Sequence, residues 1–451
     1  MVISASAVQA DFGRKELKNL QDQSVDANQV ITVILGGGQG KRLFPLTQSC
    51  CKPAICFGGR YRLIDVPLSN AINSGFHKIF IVTQFLSSSL HRYISQTYNI
   101  DAFSPGFIDV LSAEQKPDDP SGWYQGTADA IRKNLENFRD TSAEYFLILS
   151  GDQLYNFDFR SMLRYAIRTD ADVVVAALPI GKQEVKRMGV LQLDSQGKIR
   201  TFHEKPQDES LIKELETPRK FLEEFDLNRS SSSTHVGSMG IYVFKRKVMY
   251  ELLENLEGMD FGKDILPVCV EAGIANAYLY DGYWEDIGTI EAFYNANMIL
   301  AQSKAPFNCY DEGHPIYTAR YNLPGPKVSH CYLNDSIICE GSIIEAEEIK
   351  NSIIGPRTVI GKDTMIYNSY IMGNDFYELP YKEDKKMQGD LQIGERCLIK
   401  RAILDKNVSI GNGVKLINHK NLQSYDGEGI YIRDGIIVVA RGTSVPDHFT
   451  L

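Results

Sequence analysis

The chain has 451 residues, 43% hydrophobic and 23% charged, with a formal net charge of −9. Those proportions belong to a globular protein and exclude wholesale disorder and fibrous repeats, while the acidic balance argues against a nucleic-acid backbone as the main partner. At about 150 residues per domain, the length implies more than one domain.

The N-terminus has neither a basic region followed by an apolar run nor an Arg-rich transit pattern, so residues 1–28 read as a short extension of a cytoplasmic protein, with a plastid stroma as the alternative. Eight cysteines are scattered without a C-x-x-C pair or His at zinc spacing, the usage of reduced thiols rather than of a disulfide framework. From Val30 onward, short β-branched runs alternate with longer periodic segments. Strands are expected at Val30–Leu35, Lys78–Thr83, Tyr145–Leu149 and Asp172–Leu178, and Ala128–Phe138 places Ile131, Leu135 and Phe138 on one helical face. Residues 29–301 therefore read as an α/β domain with a mostly parallel sheet. Ligands of such sheets sit beyond the carboxyl ends of the strands.

Pro306, Pro315, Pro324 and Pro326 then break the pattern, which marks residues 302–326 as a linker. Over 327–451 a six-residue repeat appears. Ile353, Val359, Met365 and Ile371 are six apart, as are Ile354, Ile360, Ile366 and Met372; after a polar insertion from Asn374 to Asp390 the repeat resumes. Six-residue periodicity predicts a parallel β-helix, in which stacked coils share an apolar core that no single coil could form.

The first strand runs into Gly36-Gly37-Gly38-Gln39-Gly40-Lys41-Arg42. Such a run lets backbone N–H groups approach phosphate oxygens, with Lys41 and Arg42 supplying countercharge. A Walker A loop fails, because Leu35 and Arg42 stand where Gly and Ser or Thr belong. A dinucleotide fingerprint fails too, with Lys41 or Leu43 at its third glycine. Further on, Asp152 closes a strand in a Gly-Asp turn, and Glu285-Asp286 precedes Thr289, a candidate N-cap. Mg²⁺ takes one or two protein carboxylates plus substrate phosphates, a role that Asp152 and Asp286 suit.

The loop and its continuation, Gly38-x-Gly40-x-Arg42-Leu43-x-Pro45-Leu46-Thr47 followed by Lys52-Pro53, resemble the signature of sugar-phosphate nucleotidyltransferases. Trp123–Ala130, Ser150-Gly151-Asp152, Met188-Gly189-Val190, His203–Pro206, Ser238–Phe244, Tyr278–Asn297 and the hexapeptide tail extend the likeness over about residues 30–440, to the glucose-1-phosphate adenylyltransferases of that family. The resemblance implies a Rossmann-like catalytic domain followed by a left-handed parallel β-helix. It implies transfer of the adenylyl group of ATP to α-D-glucose 1-phosphate with Mg²⁺, in a homotetramer. Arg42, Lys52 and Asp152 would be catalytic. Leu35, Gly36, Gly37, Gly38, Gln84, Gln125 and Gly126 would hold ATP. Tyr124, Gly189, Glu204, Lys205 and Ser238 would hold glucose 1-phosphate, and Asp152 and Asp286 the metal.

The chain departs from that pattern at Lys41, where Thr is usual, and at Gln153, where His is common. Cys50 and His419 replace basic residues of the family's effector site, whereas Arg62, Lys420 and Arg441 keep positive charge for a phosphorylated sugar effector. Ser238 read alone is also compatible with a plain strand hydroxyl, and Glu204 with Lys205 with a solvated pair. Competing readings are the same chemistry with another nucleotide or sugar, a catalytically weak regulatory subunit, and a β-helix acyltransferase using His330 or His419 as base.

Overall fold

The computed structural model describes residues 26–101, 103, 105–114, 122–139, 142–194, 197–224, 233–377 and 391–451. Residues 1–25 of the expected extension and most of the expected polar insertion lie outside them.

Among the described residues nine strands build the first sheet: β1 (Val30–Leu35), β2 (Lys78–Thr83), β3 (Phe107–Ser112), β4 (Tyr145–Ser150), β5 (Val173–Gly181), β6 (Gly189–Leu193), β7 (Ile199–Glu204), β8 (Ser233–Lys245) and β9 (Ala275–Leu279). Their order is β7-β6-β8-β4-β1-β2-β3, with β5 also beside β8 and β9 beyond β5. β1 runs parallel to both β2 and β4, β2 to β3, and β5 to β9. β8 runs antiparallel to β4, β5 and β6, and β7 to β6. The sheet is thus parallel over its first 150 residues and mixed beyond. Strand direction depends on the connection, which apolar patterning does not encode: short links serve antiparallel pairs, whereas parallel pairs need crossovers.

Alternate residues of the central strands enter two cores. Ile31 and Val33 join Phe146 and Ile148 on one face; Val30 and Ile34 join Leu147 and Leu149 on the other. With both faces covered, only the strand ends are free to form a site. The chain leaves β1 toward β2 on one side and returns as β4 on the other, so a crevice opens past the carboxyl ends, where Leu35 and Ser150 are paired. The expected helix from Ala128 splits into an α-helix, Thr127–Arg132, and a three-ten turn, Leu135–Phe138. Asn134 causes the break, its side-chain amide donating back to the Ala130 carbonyl at 2.8 Å and to the Tyr124 hydroxyl at 2.9 Å. Ile131, Leu135 and Phe138 still share one buried face.

The C-terminal unit is a parallel β-helix whose coils pair Ile349 with Ile366, Ile366 with Ile399 and Ile399 with Leu416. The six-residue spacing holds for Ile354, Ile360 and Ile366, all buried in its interior. On the third side the step is five, from Ile349 to Ile354, Ile366 to Ile371 and Ile399 to Leu404. Each short step turns on a left-handed residue, Asn351, Asn368 or Arg401, with φ of 46°, 45° and 52°. That missing residue turns Met372 and Ile353, both expected in the repeat, outward against the catalytic domain.

The interface between the two units is itself a hydrophobic core. Ile353, Tyr370, Ile403, Ile436 and Val438 of the β-helix pack with Leu43, Leu46, Ile55, Phe57 and Phe293. Tyr294 donates to the Asn368 carbonyl at 2.7 Å across this seam. Residues 302–326 carry no helix or strand but lie against the α/β unit: Asn73 donates to the Pro315 carbonyl at 3.0 Å, and the Tyr317 N–H to Ser69 Oγ at 2.8 Å. All eight cysteines are free thiols, and burial pushes those of Cys50, Cys269, Cys309 and Cys339 up to about 12. No helix among the described residues is long and apolar enough to cross a membrane.

Candidate active site

The glycine-rich loop leaves β1 with the Gly36 N–H donating to the Val82 carbonyl at 2.8 Å, while the Gly151 N–H after β4 donates to the Leu35 carbonyl at 2.9 Å. These bonds lock the loop and the Gly151-Asp152 turn to neighbouring strand ends. Gly40 sits at φ 63°, and a Cβ there would meet Thr47 Cγ2 at 2.8 Å, so conformation and space both require glycine. Its turn starts the segment that carries Arg42 and, after Pro45, returns Lys52 to the cleft.

Two cavities open here and share Ser150, Asp152, Gln153, Glu204, Lys205, Gly240 and Tyr242. The larger, about 570 Å³, is walled by Leu35, Gly37, Gly38, Gln84, Tyr124, Gln125 and Gly126. Arg42, Lys52, Gly189, Ser238 and Asp286 line the smaller, about 250 Å³. Tyr124, expected at the sugar phosphate, therefore lies on the larger side, its hydroxyl engaged by Asn134. Gly36 lines neither cavity; a Cβ there would meet the Pro53 ring at 3.2 Å. Gln84 spends its amide on the loop, accepting from the Tyr124 N–H at 2.9 Å and facing the Tyr124 carbonyl at 3.5 Å.

At the junction of the cavities Lys52 forms an ion pair with Asp152 and lies 4.0 Å from Asp286. A two-stranded ribbon makes this meeting possible, pairing Gln153–Tyr155 with Trp284–Asp286 so that Asp286 stands opposite Gln153. Burial works against ionisation of Asp152, but the charge and hydrogen bond of Lys52, joined by Ser150, hold its carboxyl below the usual range. For Asp286 burial and the Asp152 charge win, raising it against Lys52 and Arg42. Gly288 lets Arg42 into this group: a Cβ would stand 2.9 Å from Asp286 Oδ2 and 3.3 Å from Arg42 Nη2. Thr289 caps the next helix, Ile290–Leu300, accepting from the Ala292 N–H at 3.1 Å, as its position after the carboxylate pair predicts.

The floor of the smaller cavity comes from β7 and β8. Lys205 follows the last residue of β7 with φ 49°, a left-handed conformation rare for a long side chain, and is held by its N–H on the Met188 carbonyl at 3.1 Å. Its ammonium reaches Glu204 Oε1 at 3.0 Å. In β8 the pairing with β5 slips between Ser238 and Tyr242, a bulge that turns Ser238, Met239 and Gly240 toward the cavity. Gln153, the unusual residue beside Asp152, pins that bulge by donating to the Met239 carbonyl at 2.8 Å.

Two cations, Arg42 and Lys52, and two carboxylates, Asp152 and Asp286, thus meet where a cavity of about 570 Å³ joins one of about 250 Å³. The family model for nucleotidyl transferases matches residues 31–303, and that for the GLGC left-handed parallel β-helix domain matches residues 320–450. The chain belongs to the nucleotidyl transferase family. The two units in this order are the architecture of glucose-1-phosphate adenylyltransferase.

In this nucleotidyl transferase the three expected effector residues are not all brought together. Arg62 stacks on the Tyr93 ring at 3.8 Å and lines a separate cavity of about 780 Å³ that Asp375 also lines. Arg441 pairs with Asp375 at 2.5 Å. Lys420 lies exposed in a turn, and among the described residues no contact joins it to either arginine. Lys406, not singled out from the sequence, is buried and lies 3.6 Å from Asp375. Its signal was an Asp405-Lys406-Asn407 triplet interrupting an apolar repeat. Asp260 and Phe261, which wall the larger cavity, were also missed; the glycines at 258 and 262 that frame them were the available cue. Tyr242, which lines both cavities, was not singled out either, because the bulge after Ser238 breaks the two-residue alternation of the strand.

Proposed function

We propose that this nucleotidyl transferase moves the adenylyl group of ATP onto α-D-glucose 1-phosphate, releasing ADP-glucose and diphosphate. The observation that carries this reading is the Arg42, Lys52, Asp152 and Asp286 group at the junction of the two cavities. ATP in the larger cavity would lay its phosphates along Gly37 and Gly38 toward Lys52. The sugar phosphate in the smaller would rest on Glu204, Lys205 and Ser238.

A phosphate oxygen of the sugar phosphate attacks the α-phosphorus in line; the P–O bond to the β-phosphate breaks, and pyrophosphate leaves with the electron pair. The attacker is already an anion, so no protein nucleophile or base is needed. The chain's task is to align two polyanions and offset their repulsion, which Arg42, Lys52 and Lys205 do as fixed cations in a half-buried site. Among the described residues no cluster of three His, Cys, Asp or Glu could cage a metal. The facing carboxylates of Asp152 and Asp286 fit Mg²⁺, which keeps waters and substrate phosphates as its other ligands. When bound there it would supply charge neutralisation for the α-phosphate under attack and the departing pyrophosphate.

The test is pyrophosphate release with a panel of nucleoside triphosphates against a panel of sugar 1-phosphates. Preference for ATP with glucose 1-phosphate supports the reading. Preference for another pair moves the specificity within the family, and no release with any pair overturns it. Acyl transfer by the β-helix is disfavoured, since among the described residues neither His330 nor His419 has a side-chain partner to activate it. Regulation by a phosphorylated sugar and assembly into a homotetramer belong to the same proposal. The cavity beside Arg62 and the exposed Val328, Tyr332, Leu333 and Ile343 at the first coil are what support them. Light scattering and an effector panel with wild type and Arg62→Ala test both.

A further inference from the structure

The smaller cavity has four cations, three of which already have partners or close neighbours. Lys52 is paired with Asp152, Lys205 with Glu204 at 3.0 Å, and Arg42 shares the surface of Gly288 with Asp286. The fourth is Arg187, at the end of the short turn Val185–Arg187 that leads into β6. Its neighbours in sequence are committed elsewhere. Lys186 pairs with Glu209 at 2.6 Å, and the Glu184 carboxylate accepts from the Gly181 N–H at 2.8 Å. No hydrogen bond or ion pair holds the Arg187 guanidinium among the described residues, yet it lines the cavity wall.

We propose that Arg187 is a further substrate-contacting residue, whose guanidinium captures the phosphate anion of the sugar phosphate in the smaller cavity. Anion capture needs a cation that need not first abandon a carboxylate. Lys205 must leave Glu204 or share it, and Lys52 must do the same with Asp152. An uncommitted guanidinium with a planar fork of donors meets a phosphate at no such cost and can do so through two parallel hydrogen bonds. Met188 and Gly189 directly follow it in the chain, so the turn that aims Arg187 also shapes the cavity wall.

The inference rests on the reading of the smaller cavity as the sugar-phosphate site. Steady-state kinetics of wild type, R187A and R187K, with each substrate varied in turn, tests it. R187A should raise KM for glucose 1-phosphate about tenfold, the scale of one charge-assisted contact, and leave KM for ATP within about twofold. R187K should recover part of the loss, because the charge stays and the fork does not. Added salt should raise the sugar-phosphate KM more steeply for wild type than for R187A. An active wild type whose R187A variant keeps its sugar-phosphate KM, or raises both KM values alike, overturns the assignment of Arg187 alone. A wild type that releases no pyrophosphate with any sugar 1-phosphate overturns the functional reading, and this inference with it.

Discussion

In the β-helix, Ile349, Ile366, Ile399 and Leu416 stack at equivalent positions, each fully buried and each in nearly the environment of its neighbour. In the cleft, the side chains of Lys52, Asp152 and Asp286 remain 11%, 22% and 31% exposed, and no two have the same surroundings. Repetition lets the first region spread its stability over many similar contacts. The second concentrates function in a few charges whose ionisation depends on one another. The two regions meet at the segment between the glycine-rich loop and Lys52, because Leu43 and Leu46 lie in the core shared with the β-helix. The β-helix coils packed on Leu43 and Leu46 therefore buttress the backbone that presents Arg42 and Lys52.

The sharpest way to break that comparison is to remove one charge from the cleft. Asp152→Asn should lower kcat a hundred- to thousandfold, the cost of losing one preorganised electrostatic contact, and leave the circular dichroism spectrum and melting temperature close to wild type. A variant with near-normal kcat at saturating Mg²⁺ would remove Asp152 from the chemistry. The mirror experiment is Ile366→Ala in the β-helix. It should cost about 3 kcal/mol of stability, within the span for deleting a buried aliphatic side chain, with kcat and both KM values unchanged at low temperature. Loss of kcat without loss of stability would mean that the two regions are not separable.

The unequal legibility of the two regions has the same origin. A hexapeptide register is a one-dimensional signal, so the β-helix and most of its inward residues could be read directly. Only the five-residue side escaped, because it depends on a left-handed corner at Asn351, Asn368 and Arg401 rather than on hydrophobicity. In the cleft, motifs singled out Arg42, Lys52, Asp152, Lys205 and Asp286, and these five side chains line connected cavities. Arg187 belongs to no glycine turn or repeat, and Lys406 shows only as a break in one, so what each faces depends on what folds beside it. Tyr124 shows the converse: its motif position was visible, but the side of the cleft it faces is set by Asn134, ten residues away.

A smaller effect is expected at Lys205. Lys205→Ala should raise KM for glucose 1-phosphate about tenfold and change KM for ATP little, if the ammonium, on the wall that the two cavities share, serves the sugar phosphate as proposed. Equal rises would place it on the path of both substrates and blur the division between the cavities.

The last test concerns a place where buried charges interrupt the apolar repeat of the β-helix. Asp405 and Lys406 interrupt the repeat and are both buried beside Asp375 and Arg441. Burial is the main cause that raises the Asp405 carboxyl from 3.8 to about 6; the Lys406 N–H, Arg441 and Lys406 oppose it, and Asp375 adds to it. A carboxyl whose folded value is raised binds its proton more tightly in the folded than in the unfolded chain. Its stabilising contribution is therefore complete below the ordinary value and is lost as pH rises through about 6. Asp405→Asn keeps an acceptor for the Lys406 N–H, which lies 2.6 Å from Asp405 Oδ1, but carries no charge to bury. The variant should therefore be more stable than wild type at pH 8, by about 1–3 kcal/mol, a difference of up to two pH units converted at 1.36 kcal/mol each. That advantage should shrink through pH 6 and vanish near pH 4, as read from denaturant midpoints across the range. A variant less stable than wild type at pH 8 would mean that attraction to Arg441 and Lys406 outweighs desolvation, and that the charged seam strengthens the β-helix where it meets the catalytic domain.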